Sequence, residues 1–370
     1  MRPCIAQHLP PRGIRWESFV TLLGRANRAI ARYDGILTGI PNPSVLLAPL
    51  TSQEAVLSSK IEGTRVTLGE VLKHEAGQDP PEESKRQDIH EIMNYRKALR
   101  EAEAALKSRP FSLNLLKRLH ETLLDSVRGR NKSRGRFRTT QNFIGPPGST
   151  IDQALFVPPE PGHLPDLLDN WEKYYHEADE EPLVQLALVH AQFEIIHPFL
   201  DGNGRLGRIL IPLFLYEREV LSKPMFYLSA YLEKHRDVYV RALRNLGGPE
   251  PRWNEWIPFF LEALLTQATA NTAKAESILK LYDSLKHRVR NATHSQYGVH
   301  LLDNMFMAPV FRSSAFYGRP GMPSKPMLAH MLNQLKEEGI LRVIRKGAGR
   351  RPRIFALAEL VNLSEGRRVV

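Results

Sequence analysis

Apolar positions recur at helical spacing along most of the chain. Phe19, Leu22, Leu23, Ala26 and Ile30 form a stripe of this kind within residues 15–35, suited to docking on a partner. After IPNPS, whose prolines and asparagine break helix, LTSQEAVLSSKIEG predicts a second helix that stops near Gly63. Residues 84–106 and 112–127 read as two more amphipathic helices, and 163–178 and 182–196 as the next pair. The segment PLVQLALVHAQFEII at 182–196 is apolar on most faces, which marks a central helix. RLGRILIPLFLYERE predicts another buried helix, and residues 229–246 and 252–290 complete an all-helical body.

Two stretches depart from this texture. In GRFRTTQNFIGPPGSTIDQALFVPPEPG, residues 135–162, the apolar runs NFI and ALFV flank a Gly-Pro-Pro-Gly turn, which predicts a hairpin with prolines at its ends. A lone hairpin cannot carry a core, so it reads as a mobile flap or a docking edge. From about residue 300 a smaller unit begins. LLDNMFMAPVF predicts a helix interrupted by proline, and SKPMLAHMLNQLKEEGIL a capped helix ending at Gly339. ILRVIRKGAGRRPRIFAL then predicts strand, turn and strand, so the unit resembles a winged helix-turn-helix.

At 370 residues, two or three domains are expected. No apolar run approaches the roughly 18 residues of a membrane span, and the N-terminus lacks the apolar core of a secretory signal, so a cytoplasmic protein is expected. One cysteine, Cys4, excludes an intramolecular disulfide and a cysteine-based zinc site. The net charge is +11, and residues 341–370 hold eight Lys or Arg against two Glu, over half of the excess. Arg342, Arg345, Lys346, Arg350, Arg351 and Arg353 lie on or beside the wing, which makes DNA an alternative partner and a DNA-binding regulator the alternative function.

Chemistry concentrates in HPFLDGNGRLGR, residues 197–208. Backbone N–H groups at a helix start point outward, and Gly202 and Gly204 let phosphate oxygens approach them. Arg205 and Arg208 lie three apart on the following helix and can converge on a polyphosphate. A polyphosphate brings a divalent cation; Asp201, the only acid in the loop, is its obvious ligand. His197 can take a proton from an attacking hydroxyl near neutral pH. Singly, a glycine turn is often only a helix connection and a histidine before proline only a cap. All six polar or glycine elements in one helix-loop-helix point to catalysis. Neither a Walker loop nor a dinucleotide fingerprint fits the spacing.

The stretch resembles the full signature of the Fic (Fic/Doc) family, His-x-Phe-x-Asp/Glu-Gly-Asn-Gly-Arg-x-x-Arg, at His197, Phe199, Asp201, Gly202, Asn203, Gly204, Arg205 and Arg208. The resemblance covers roughly residues 85–245. It implies an all-α Fic core with a small β-hairpin flap, preceded by a helical N-terminal region and followed by the winged helix-turn-helix. The expected domains are 1–83, 84–290 and 291–370. The implied activity is a nucleotidyltransferase one: AMP moves from ATP to a Ser, Thr or Tyr hydroxyl of a target protein, which can be the chain itself, and pyrophosphate leaves. His197 would be the general base and Asp201 the Mg²⁺ ligand. The Gly202–Gly204 backbone with Asn203 would cradle the α-phosphate, Arg205 and Arg208 would hold the β- and γ-phosphates, and Phe199 would anchor the loop. The Doc-like phosphotransferase branch carries lysine where this chain has Gly204, so glycine favours adenylylation. Phe143, Ile144 and Gly145 match the family's flap, which pairs with the target backbone by strand addition. Tyr239 matches an aromatic beside the adenine, with a buried structural tyrosine as the alternative.

Upstream, Ser58, Glu62 and Gly63 in SSKIEG fit the family's inhibitory pattern, Ser/Thr-x-x-x-Glu-Gly/Asn, on a helix at about 51–63. Residues four apart share a helix face, and a carboxylate that engages Arg208 competes with ATP for it. The chain thus resembles the class II type with an intramolecular N-terminal inhibitory helix. In some relatives that glutamate supports AMP removal, which leaves a bifunctional enzyme open. A homodimer is a further expected assembly.

Overall fold

The computed structural model describes residues 2–40, 42–126, 132–145, 148–177, 181–348 and 351–369. In chain order its helices are α1 (Val20–Gly39), α2 (Pro43–Leu46), α3 (Ala48–Ile61), α4 (Leu68–Glu75), α5 (Glu83–Leu106), α6 (Leu113–Leu123), α7 (Leu164–His176) and α8 (Pro182–Ile196). They continue with α9 (Asn203–Glu217), α10 (Ser229–Lys234), α11 (Arg236–Leu246), α12 (Trp253–Thr293), α13 (Gly298–Met307), α14 (Lys325–Glu337) and α15 (Ala358–Glu365). The strands are β1 (Val310–Arg312), β2 (Arg342–Arg345) and β3 (Ile354–Ala356). The chain forms two compact units: Met1–Gly35, Leu57–Thr64 and Met93–Thr269 make the first, and Ile36–Val56, Arg65–Ile92 and Ala270–Val370 the second. Among the described residues no helix is long and apolar enough to cross a membrane.

The first unit is built around α8. Every residue from Leu183 to Ile196 is buried, as its all-round apolar pattern requires. Pro182 opens the helix with φ already suited to it, and the Glu181 carboxylate accepts from the Leu183 and Val184 amides, capping two donors. The indoles of Trp171 and Trp256 donate to the carbonyls of Val189 and Ala187 at 2.9 and 2.8 Å, so both large side chains are buried without an unpaired polar atom at the indole. α9 runs against α8, and the loop between them is the signature stretch.

Two expectations change here. Among the described residues the hairpin at 135–162 is reduced to one isolated antiparallel bridge, Ile144 to Phe156, with no extended ladder; Pro146 and Pro147, at its turn, lie outside them. Proline and glycine flanking both short runs remove donors and favour other backbone geometry, so regular pairing does not propagate. Residues 229–246 are helical as expected, in two helices that meet at His235. The stretch LLDNMFMAPVF ends as helix at Met307, and Val310–Arg312 pairs instead with β3. Pro309 cannot continue a helix, and Val-Phe suits a strand edge.

In the second unit the sheet order is β1-β3-β2, antiparallel throughout, with a register irregularity between Val343 and Arg345. β3 is central and wholly buried, and Phe311, Phe316 and Phe355 cluster on it. Thr67 and Glu70 form a capping box at the start of α4, and Arg312 of β1 donates to the Ala76 carbonyl just past its end at 2.7 Å.

Candidate active site

α8 ends in an unusual way. His197 caps it in the left-handed region, φ +47°, and Gly202 starts α9 with φ +78°. Glycine adopts that conformation freely, whereas histidine does so only where its surroundings hold it. Just past Gly202 the Asn203 amide staples the loop, accepting from the Phe199 amide and donating to the Phe199 carbonyl, both at 2.9 Å. Phe199 is fully buried and its ring stacks on His120 at 3.8 Å. The Gly135 amide donates to His120 Nδ1, so Nε2 carries the proton and donates to the Asp201 carbonyl at 3.0 Å. Burial pushes the His120 imidazole down to about 4 and keeps it neutral for this task.

The loop opens into a cavity of about 630 Å³ lined by Glu62, Phe143, Ile144, Gly145, Glu194, His197, Asp201, Gly204, Arg208 and Tyr239, among others. Most of the residues singled out in the sequence therefore converge. His197 Nδ1 donates to the Glu194 carbonyl at 3.3 Å, leaving Nε2 as the basic nitrogen. Burial lowers the imidazole to about 4, against the Glu194 carbonyl, Glu62 and Asp201, which favour its charged form. A neutral histidine is the form that can accept a proton.

Arg208 is the hub. Its Nε donates to Ser58 Oγ at 2.8 Å, and its Nη2 donates to the Ser58 carbonyl at 3.0 Å and to Glu62 Oε1 at 2.6 Å. Glu62 lies one residue beyond the last helical position of α3, in a turn completed by Gly63 at φ +104°. Arg236 Nε holds that turn by donating to the Ile61 carbonyl at 3.0 Å, and Lys60 pairs with Glu233 at 2.7 Å. A methyl group on Gly204 would sit 2.3 Å from Glu62 Oε1, so the carboxylate rests directly on the first turn of α9, where a helix start attracts anions. Burial alone would raise the Glu62 carboxyl, but Arg208 outweighs it and the group stays below the ordinary carboxylate range. The Arg208 side chain is 1 % exposed and that of Glu62 41 %, so solvent reaches only one partner.

Other residues settle differently. Asp201 faces the cavity with its side chain 45 % exposed, accepts from the Gly202 amide through Oδ1 at 2.6 Å, and lies 3.8 Å from Arg205. A magnesium ion needs only one or two protein carboxylates when phosphates supply further oxygens, and one exposed carboxylate beside a helix start fits that demand. No group of three or more metal-binding side chains occurs among the described residues. Arg205 is buried beside this acid and does not line the cavity. Tyr239 is 3 % exposed, and its hydroxyl donates to His190 Nε2 at 2.9 Å, since Nδ1 donates to the Gly207 carbonyl. It stands beside Arg208. Phe143 and Ile144 are each 37 % exposed at the cavity rim.

Glu194, His190, His120, Arg138 and Arg236 carry no motif and escaped the sequence reading. Glu194 and His190 had one available signal, polar residues inside an otherwise apolar helix. Glu194 Oε1 is buried with no hydrogen-bond partner among the described residues; burial, opposed by Arg208 and aided by Glu62, raises its carboxyl to about 8. Gly207 is what admits it, since a methyl group there would lie 2.3 Å from Oε1.

Sequence comparison bears on this loop directly: the Fic/DOC family model spans residues 110–215 and the Fic/DOC family N-terminal model residues 20–104. The chain carries Fic/DOC family domains. Relatives of the Fic region include a probable protein adenylyltransferase of Aquifex aeolicus, 28 % identical over 205 residues, which are 53 % of this chain and 55 % of that one. The protein adenylyltransferase Fic of Drosophila yakuba is 26 % identical over 259 residues, 60 % of this chain and 49 % of that one. The chain thus spans about half the length of these curated relatives. The crystal structure of a Fic family protein from Desulfovibrio desulfuricans G20 shares the fold, with TM-score 0.60, 20 % identity, and coverage of 94 % of this chain and 98 % of that one. A Fic domain containing signaling protein from Bacteroides thetaiotaomicron gives TM-score 0.56 at 20 % identity, over 69 % of this chain and 97 % of that one.

Proposed function

We propose that the chain is a protein adenylyltransferase held in check by Glu62. The observation that carries this reading is the Glu62 carboxylate on Arg208 and the first turn of α9, an anion seated where a phosphate would bind. ATP would lie in the cavity with its phosphates over the Gly202–Gly204 backbone. Arg208 would take the terminal phosphate after Glu62 leaves, and Asp201 would hold Mg²⁺, which neutralises phosphate charge when bound. A Ser, Thr or Tyr hydroxyl of a protein aligned on Phe143, Ile144 and Gly145 would attack the α-phosphorus. The new bond is oxygen to phosphorus; the bond to the β-phosphate oxygen breaks, pyrophosphate leaves, and the hydroxyl proton passes to His197 Nε2. Solvent access to Glu62 supports a displaceable inhibitor, because water can replace Arg208 on one side of the pair only.

Glu62→Gly is expected to raise AMP transfer from labelled ATP, self-modification included, by at least about tenfold, equivalent to about 1.4 kcal/mol. Equal activity in the wild type and this variant would remove the inhibitory role. Identification of the labelled protein in a cell lysate would name the target.

A second reading concerns the β2–β3 ribbon, where Arg342, Lys346 and Arg351 are exposed. Such a row suits nucleic-acid phosphates. Arg345 instead donates to the carbonyls of Gly77 and Pro352, and Arg353 to Asn333, while Arg350 lies outside the described residues. Duplex DNA that fails to shift with the full chain at low salt would exclude this reading.

A further inference from the structure

Arg138 is 2 % exposed and has no acidic partner among the described residues. A buried cation without a counter-charge is costly unless dipoles surround it. Here they are carbonyls on Nε and Nη2, while Nη1 is buried with no partner among the described residues. Nε donates to the His197 carbonyl at 2.9 Å, and Nη2 donates to the Ile196 carbonyl at 3.3 Å and the Pro159 carbonyl at 2.5 Å. The Arg138 amide donates to the Pro198 carbonyl at 2.9 Å. The Ile196 and His197 carbonyls belong to the end of α8, where the helix leaves acceptors unpaired and its dipole favours a cation.

This one planar group joins two parts of the site. On one side it grips the left-handed His197, whose conformation needs outside support. On the other it grips Pro159, on the arm by which the flap returns from Phe156. We propose that Arg138 is the positioning residue of His197: it holds the base in its left-handed conformation and locks the flap's return arm to it. A target backbone lying on the flap then presents its hydroxyl at His197 Nε2 in fixed register. The inference rests on the adenylyltransferase reading. It assigns no contact with ATP to Arg138, because the phosphate side of the cavity is built from Gly204, Asp201 and Arg208 instead.

The guanidinium also faces the imidazole as a positive charge, opposite Glu62 and Asp201, which face it as negative ones. Lysine in its place keeps the charge and loses the fork; glutamine loses both.

The test compares Arg138→Gln and Arg138→Lys in the full chain, each in the Glu62→Gly background. Displacement of a base by about 1 Å is worth on the order of 100-fold, so Arg138→Gln should lose that much in kcat while KM for ATP changes less than about twofold. Arg138→Lys should recover part of the loss. The His197 imidazole, followed by NMR, should titrate higher in Arg138→Gln than in its parent, and at the parent's midpoint in Arg138→Lys. Parallel losses in kcat and ATP affinity, or an Arg138→Gln variant with unchanged kcat and titration, would overturn the proposal. If glutamine prevents folding, the lysine variant decides alone: unchanged kcat sinks the idea. If the Glu62→Gly parent transfers no AMP, the functional reading fails, and the imidazole titration still reports whether Arg138 acts on His197.

Discussion

Two regions of this chain announce themselves in the sequence, the 197–208 loop and the basic ribbon from Arg342 to Arg353, and the structure treats them differently. In the loop, polar groups engage named partners: Asn203 with the Phe199 backbone, Asp201 with the Gly202 amide, Arg208 with Ser58 and Glu62. In the ribbon the cations divide, some exposed and some bound to carbonyls or to Asn333. A motif of fixed order demands one geometry, because each residue type does a different job there. A run of like charge demands only separation from its neighbours and access to water, and many backbones supply that. Dense, mixed chemistry is therefore the stronger functional signal.

The loop should be the more sensitive of the two regions. His197→Ala should lower AMP transfer in the Glu62→Gly background by about 10³-fold, as expected for removal of a general base. A loss under tenfold would place the base elsewhere. Next in size is the acid sensitivity of the loop's support. Burial holds His120 at about 4 and His190 at about 3, below the ordinary 6.5, so the unfolded chain binds more protons between those values. Their contribution to stability is complete above about pH 6.5 and is lost as pH falls toward 4. Between pH 7 and about pH 5 each of these histidines should contribute a loss on the order of 2 kcal/mol in thermal melts, opposed by Glu194, whose raised carboxyl favours the folded state as pH falls. In His190→Gln that acid loss should shrink. An unchanged loss would mean His190 is not a buried neutral group.

A smaller effect separates Glu62 from its neighbour. Ser58→Ala removes one hydrogen bond to Arg208 Nε, about 1 kcal/mol, and should raise AMP transfer about fivefold. A rise as large as that of Glu62→Gly would make the serine, not the carboxylate, the principal restraint. Smallest of all, changing Arg342, Lys346 and Arg351 to Gln together should leave self-modification within about twofold. The same variant should flatten the salt dependence of any duplex binding by about three in log–log slope. A large loss of AMP transfer would show that the ribbon serves the loop's chemistry.

Legibility followed the range of the interactions concerned. Helix positions from α5 to α9 could be read because their apolar periodicity is local, and α8 declared its burial by being apolar all round. The hairpin could not, because whether two short runs pair along their length depends on donors that proline and glycine withhold. β1 was hidden inside a helical pattern, since Val310–Arg312 becomes a strand only by meeting β3, some forty positions later. In the site, the signature residues were visible as a string. Arg138 and His120 were not, because each works through carbonyls and amides, groups that every residue carries.

By itself the sequence determined the helical body, the left-to-right order of base, acid, glycines and arginines, and the presence of one candidate inhibitory glutamate. The inhibitory pattern already pointed Glu62 at Arg208; tertiary structure alone decided that the Ser58 hydroxyl and carbonyl join it there, that Asn203 faces the loop backbone, that Tyr239 is tied to His190, and that a buried arginine grips the histidine carbonyl. The division has one physical reason. Periodicity and residue order are encoded within a few positions, whereas burial, pairing and the choice of a polar group's partner depend on which distant segments fold against it.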